Sequence, residues 1–102
     1  MHLEPVGSTV YIEYDPPINY SDFVTIETSR NGGITWRQVP SLTLVPVSGD
    51  SPVGAYDYLA PLNSMSWYRA LPFREEDGVL LAAPNYSEWA SVEVPGEGWW
   101  LK

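Results

Sequence analysis

A chain of 102 residues can close one hydrophobic core but not two, and ten prolines and eight glycines spread along it leave no room for long helices. With no cysteine, disulfides, thiolate metal sites and thiol chemistry are excluded. A net charge of −8 repels a phosphate backbone and an anionic bilayer, so neither nucleic acid nor membrane is an expected partner.

The opening MHLEPVGST carries no basic region followed by an apolar one, so no signal peptide is expected. No apolar stretch approaches the roughly 20 residues that span a bilayer. Ser8 to Tyr14 alternates, with Val10, Ile12 and Tyr14 on one face, and predicts a half-buried strand that Asp15-Pro16-Pro17 stops. Phe23 to Ser29 is rich in β-branched residues and predicts a second strand. Arg30-Asn31-Gly32-Gly33 then predicts a tight hairpin into a strand over Ile34 to Val39, because Asn and Gly tolerate positive φ.

Ser41 to Val47 predicts a short strand between Pro40 and the loop that follows. Ala55 to Leu59 predicts another, with Tyr56 and Tyr58 facing the core and Asp57 facing solvent. Met65 to Leu71 is the next strand, Arg74 to Gly78 an acidic turn, and Val79 to Ala83 a short return strand. Ser87 to Val94 closes the set, with Val92 and Val94 inward. Residues 1–95 are thus expected to form one domain, and 96–102 a linker or C-terminal interface segment. About seven strands with turn signals every 8 to 12 residues predict an all-β fold, a single antiparallel β-sandwich. The expected core is Val10, Ile12, Val24, Ile26, Trp36, Tyr56, Tyr58, Tyr68, Ala70, Val92 and Val94.

Ser29 to Trp36, SRNGGITW, fits the pattern Ser-x-Asp/Asn-x-Gly-x-Thr-Trp and resembles the Asp-box of sialidases and other β-propeller glycosidases. Its physics is local. Asn31 can accept from backbone amides in the turn, the glycines take left-handed conformations, and Trp36 packs across. Ser29, Asn31, Gly33 and Trp36 are therefore expected to build a structural hairpin. A single copy and four arginines, Arg30, Arg37, Arg69 and Arg74, do not supply a propeller or a sialidase site.

Glu75-Glu76-Asp77 lacks the spacing of a calcium loop and reads as a solvated loop tip. Glu13, Glu27, Asp57 and Glu93 read as solvent-facing strand positions. The lone His2 near a free end is a poor triad member. No catalytic residue, cofactor or metal is expected. Five Trp, seven Tyr and two Phe exceed what a core of this size needs. Trp89, Tyr86, Phe73, Trp99 and Trp100 are the candidates for an interface.

Trp67-Tyr68-Arg69-Ala70, a loop and then Ser87 to Val94 resemble the last two strands of a fibronectin type III-like domain. Ser64 falls near that domain's usual corner tyrosine. Over most of the chain a closer resemblance is to the fibronectin type III-like domains of actinobacteriophage minor tail proteins. It rests on Ser29 to Trp36, Tyr56 to Leu62 (YDYLAPL), Tyr68-Arg69-Ala70 and Gly98 to Lys102 (GWWLK), in that order. That resemblance implies a structural virion component of a long-tailed phage tail tip, made in the host cytoplasm. Its partners would be other tail proteins, or further copies of itself. It implies no catalytic residues. The exposed aromatics leave open a second function, a carbohydrate-binding or adhesion module contacting a cell-surface glycan.

Overall fold

The computed structural model describes residues 1–47 and 51–96. Among the described residues nine strand segments form two antiparallel sheets: β1 (His2–Val6), β2 (Thr9–Tyr14), β3 (Phe23–Ser29), β4 (Arg37–Gln38), β5 (Val45–Pro46), β6 (Val53–Asp57), β7 (Met65–Glu76), β8 (Val79–Ala82) and β9 (Ala90–Glu93). One sheet has the order β1-β2-β6. The other runs β4-β3-β7-β8, with β5 also on β3 and β9 also on β7. β4 and β5 share one edge of β3, and β8 and β9 share one edge of β7. The nine segments therefore fill seven columns, three facing four, which is the antiparallel β-sandwich expected from the strand count; its finer fibronectin type III/immunoglobulin-like reading rests on the resemblance.

The core lies between the sheets. Val10, Ile12 and Tyr14 of β2 face Val24 and Ile26 of β3 and Tyr68 and Ala70 of β7, with Val39, Leu42, Val53 and Val94 closing the ends. The alternation read in β2 is the one observed, whereas β3 buries Thr25 as well as Val24 and Ile26. Seven expected core residues are fully buried: Val10, Ile12, Val24, Ile26, Tyr68, Ala70 and Val94. Val92 packs against them, partly buried.

Several expectations are corrected. Tyr56 and Tyr58 point outward, 38% and 69% exposed, and Asp57 points inward at 2%. Period two was right in this strand, but the phase was inverted. Trp36 is only half-buried. The expected tight hairpin is a wider loop, because pairing resumes only at Thr28↔Arg37 and Glu27↔Gln38, and Ile34 is 80% exposed. The expected strand over Ser41 to Val47 is a 3-10 turn, Pro40–Leu42, and then β5. Proline at the start of the turn has the φ it needs, and Leu42 drops into the core.

β7 runs five residues past the expected end at Leu71, through Pro72 to Glu76. Proline removes one donor, but its carbonyl still accepts from Ala83 N–H at 2.9 Å, and β3 pairs with β7 up to Phe73. Arg74 to Glu76 thus belong to a strand, and the turn itself is Asp77-Gly78, both at positive φ (53° and 80°). Asp-Gly is the pair that a two-residue hairpin turn favours. β1 was not anticipated: HLEPV carries no clean alternation, and it pairs with β2 as an exposed edge strand.

Candidate interaction surface

The outer face of the four-column sheet carries Trp36, Tyr86 and Trp89 grouped around one arginine. The grouping starts from a cross-strand pair. Glu27 of β3 and Arg69 of β7 lie opposite each other, both pointing away from the core. Arg69 Nε donates to Glu27 Oε1 at 2.8 Å, and its Nη2 lies 2.7 Å from the same oxygen. The Arg69 guanidinium sits between two rings, 4.2 Å from the Trp36 centroid and 3.7 Å from the Tyr86 centroid. Cation–π attraction to two faces fixes a side chain that would otherwise roam. The expectation that Glu27 is simply solvent-facing is corrected: it is the acceptor of a partly buried ion pair.

The Asp-box-like loop sets Trp36. Ser29 Oγ accepts from Gly33 N–H at 2.8 Å and Asn31 N–H at 3.3 Å. Asn31 Oδ1 accepts from Thr35 N–H at 3.0 Å, and its Nδ2 donates to Thr35 Oγ1 at 2.8 Å. Trp36 Nε1 donates to the Gly33 carbonyl at 3.1 Å. Gly32 and Gly33 adopt φ of +75° and +90°. Ser29, Asn31, Gly33 and Trp36 are therefore joined within one loop by its own hydrogen bonds.

Trp89 completes the surface. Its ring packs edge-on to Trp36, centroids 5.1 Å apart at 64°. It also rests on Gly33 so closely that a Cβ there would stand 2.2 Å from the indole. Gly33 is thus fixed by its φ and by this contact together. Ser87 positions the loop that brings Tyr86 and Trp89 here. It gives its N–H to the Ala70 carbonyl and takes the Ala70 N–H on its Oγ, both at 2.8 Å. Trp89 remains 53% exposed and Tyr86 39%.

Of the interface candidates, Trp89 and Tyr86 are brought together with Trp36. Phe73 lies on the same face but four residues beyond Arg69, about 13 Å along β7, opposite Phe23. It is half-buried and not part of the cluster. Trp99 and Trp100 lie outside the described residues. Gly96 N–H donates to Asn63 Oδ1 at 2.7 Å, so the expected 96–102 segment begins tied to the sandwich.

A second grouping sits on the opposite sheet. Tyr11 and Tyr56 are cross-strand neighbours with centroids 5.2 Å apart, and Tyr56 and Tyr58 stack at 5.7 Å and 30°. Tyr56, Tyr58 and Leu59 border a hollow of about 170 Å³ with Val39, Pro40 and Ser41. That is smaller than the roughly 300 Å³ at which ligand pockets begin.

Between the sheets lies a polar network that the sequence reading missed. Asp57 Oδ2 accepts from Arg30 Nη2 and from the Tyr68 hydroxyl, each at 2.8 Å, and Oδ1 accepts from Leu59 N–H. Arg30 Nη1 reaches Thr28 Oγ1 at 2.9 Å and Ser66 Oγ at 2.8 Å. Burial, helped by the neighbouring carboxylate, pushes the Tyr68 phenol up to about 12. Burial works against the charge on Arg30, but its bonds to Asp57 and Tyr68 outweigh that and raise its pKa. A carboxylate this deep is stable only if paired and hydrogen-bonded. Asp57 is therefore a structural clamp between sheets. Tyr68, inside β7, thus ties its sheet to the end of β6.

The Arg30–Asp57 and Arg69–Glu27 pairs are closed on themselves, and what the outer face offers to solvent beside them is an indole, a phenol and the edge of a guanidinium. Those groups suit contact with another surface. Comparison with protein families, with curated proteins and with solved structures gave no match.

Proposed function

We propose that this domain is a non-enzymatic structural module that works by surface contact, as an assembly or interaction component of a long-tailed phage tail tip. The observation that carries the interaction reading is Trp89, half-exposed yet seated against Trp36 and Gly33. Trp, Tyr and Arg are the residues that dominate interface energetics, and side chains already held in place lose little freedom on binding. The tail assignment is supported by the ordered motifs Ser29 to Trp36, Tyr56 to Leu62 and Tyr68 to Ala70. The partner would be another tail protein or a further copy of this chain.

The test is co-expression of the full chain with the products of its flanking genes, followed by size-exclusion chromatography. A complex that survives separation and is lost in Trp89→Ala supports the proposal. If the chain elutes alone in every combination, the proposal fails.

A second function has its own supporting observation, the exposed Tyr56–Tyr58 stack beside its shallow hollow. Flat rings there would suit a sugar face, making the domain a carbohydrate-binding or adhesion module. Saturable binding on a glycan array, abolished by Tyr58→Ala and untouched by Trp89→Ala, would favour it over assembly.

A further inference from the structure

Past Phe73, β7 pairs only with β8, and β8 ends the four-column sheet. Ala83 N–H donates to the Pro72 carbonyl, which fixes the phase of the ladder. In an antiparallel pair, hydrogen-bonded and non-bonded positions alternate. Residues 79, 81 and 83 therefore turn their backbone groups toward β7, and Leu80 and Ala82 turn theirs outward. Among the described residues nothing pairs with that outer edge. The strand itself, Val79–Ala82 (VLLA), has no charge, no proline and no bulge, the usual guards of a free edge. Val79 and Leu80 are 56% and 39% exposed.

What surrounds this edge is acidic. Asp77 stands at its turn, and Glu75 and Glu76 lie opposite Leu80 and Val79 on β7. Among the described residues the one nearby cation, Arg74, is paired with Glu76 at 3.5 Å and lies 5.4 Å from the Tyr20 ring centroid. An added strand would lie about 4.8 Å from β8 and about twice that from β7. A lysine or arginine on it could cross the Leu80 side chain and reach Glu75. A second copy of this chain is a poor occupant, since each carries −8 and would bring its own Glu75, Glu76 and Asp77 to the joint.

We propose that the outer edge of β8 accepts an extended cationic segment of a different protein as an added strand. Backbone groups of Leu80 and Ala82 hold its main chain, and Glu75 and Asp77 select its charge. Glu75 lies six residues, about 20 Å, along β7 from Arg69, so this edge and the Trp89 cluster can each fail without the other.

The test uses the full chain with two capped octapeptides, one of alternating lysine and valine, the other of alternating glutamate and valine. Amide hydrogen exchange is followed residue by residue. The lysine peptide should slow exchange at Leu80 and Ala82 at least tenfold and leave the already bonded Leu81 amide unchanged. The glutamate peptide should change none of them. Leu80→Pro removes an outward donor without touching the β7 ladder, and should weaken the lysine peptide at least tenfold with melting retained. If that variant does not fold, Ala82→Pro serves the same purpose. The charge reversal Glu75→Lys with Asp77→Lys should weaken the lysine peptide at least tenfold and make the glutamate peptide bind. Trp89→Ala should leave binding intact. No protection at Leu80 and Ala82 with millimolar lysine peptide, or equal protection from both peptides, would overturn the proposal.

Discussion

The hydroxyl of Tyr68, in the middle of β7, donates a 2.8 Å hydrogen bond to the carboxylate of Asp57 at the end of β6 and so ties one sheet to the other. Tyr68→Phe removes that bond and the longer 3.4 Å one that Arg30 Nη1 donates to the hydroxyl, and leaves Asp57 with Arg30. Losing a hydrogen bond to a charged group costs about 1.5–3 kcal/mol. Asp57→Ala strips both Arg30 and Tyr68 of their acceptor, and breaking a buried pair costs about 3–5 kcal/mol. Urea unfolding should rank the two in that order. Equal stability of Asp57→Ala and wild type would mean that the clamp contributes nothing.

The same contact predicts a pH dependence. The Tyr68 phenol is raised from 10.0 to about 12 by burial first and by Asp57 second, and burial raises Tyr14 in the same direction. A folded pKa above the unfolded one means that the native state keeps its proton longer. The contribution of neutral Tyr68 is therefore complete below pH 10 and falls away as pH rises from 10 through 12. Stability measured across that range should decline, and Tyr68→Phe should flatten part of the decline. A stability that rises from pH 10 to 12 would contradict the assignment.

Gly33 and Gly32 make a matched test of the loop. Both have positive φ, so an alanine at either costs about 1–2 kcal/mol of backbone strain. Only at Gly33 does the new Cβ collide with Trp89, whereas at Gly32 it meets open space. Gly33→Ala should thus be the more destabilising and should also shift tryptophan emission to the red as the Trp89 ring is displaced. Gly32→Ala should leave emission in place. Identical spectra for the two variants would contradict the seating of Trp89 on Gly33.

How far the sequence discloses the fold depends on what each residue faces. β2 and β3 are legible because aliphatic and β-branched side chains at period two leave one possible phase. In Ala55 to Leu59 the alternation is equally clear, but two tyrosines outweigh one aspartate in any tally of hydrophobicity. The inverted phase becomes readable only when Arg30 and Tyr68 are known to converge on Asp57. Those residues are 27 and 11 positions away, a distance no local pattern reports. The surface was partly legible. Trp89 and Tyr86 stood out as surplus aromatics, whereas Arg69 and Glu27, which organise them, looked like ordinary strand charges. The extension of β7 past Pro72 stayed hidden because a proline inside a strand normally signals its end.

Trp36 measures what half-burial means for stability. Were it a core residue, truncation to alanine would cost about 3–5 kcal/mol. It is half-buried against Arg69 and Trp89, so Trp36→Ala should cost about 2 kcal/mol by denaturant unfolding, from partial area loss and a lost cation–π contact. A cost at the core level would place the ring deeper than its position here.

The central claim is that the domain acts through the Trp89 face, and Trp89→Ala tests it most directly when affinity and stability are measured on the same preparation. The ring is 53% exposed, so its removal should cost no more than about 1–2 kcal/mol of folding stability. Its removal should also weaken association with the flanking-gene partner at least tenfold, about 1.4 kcal/mol in binding. A variant that folds normally and binds that partner with unchanged affinity would contradict the account.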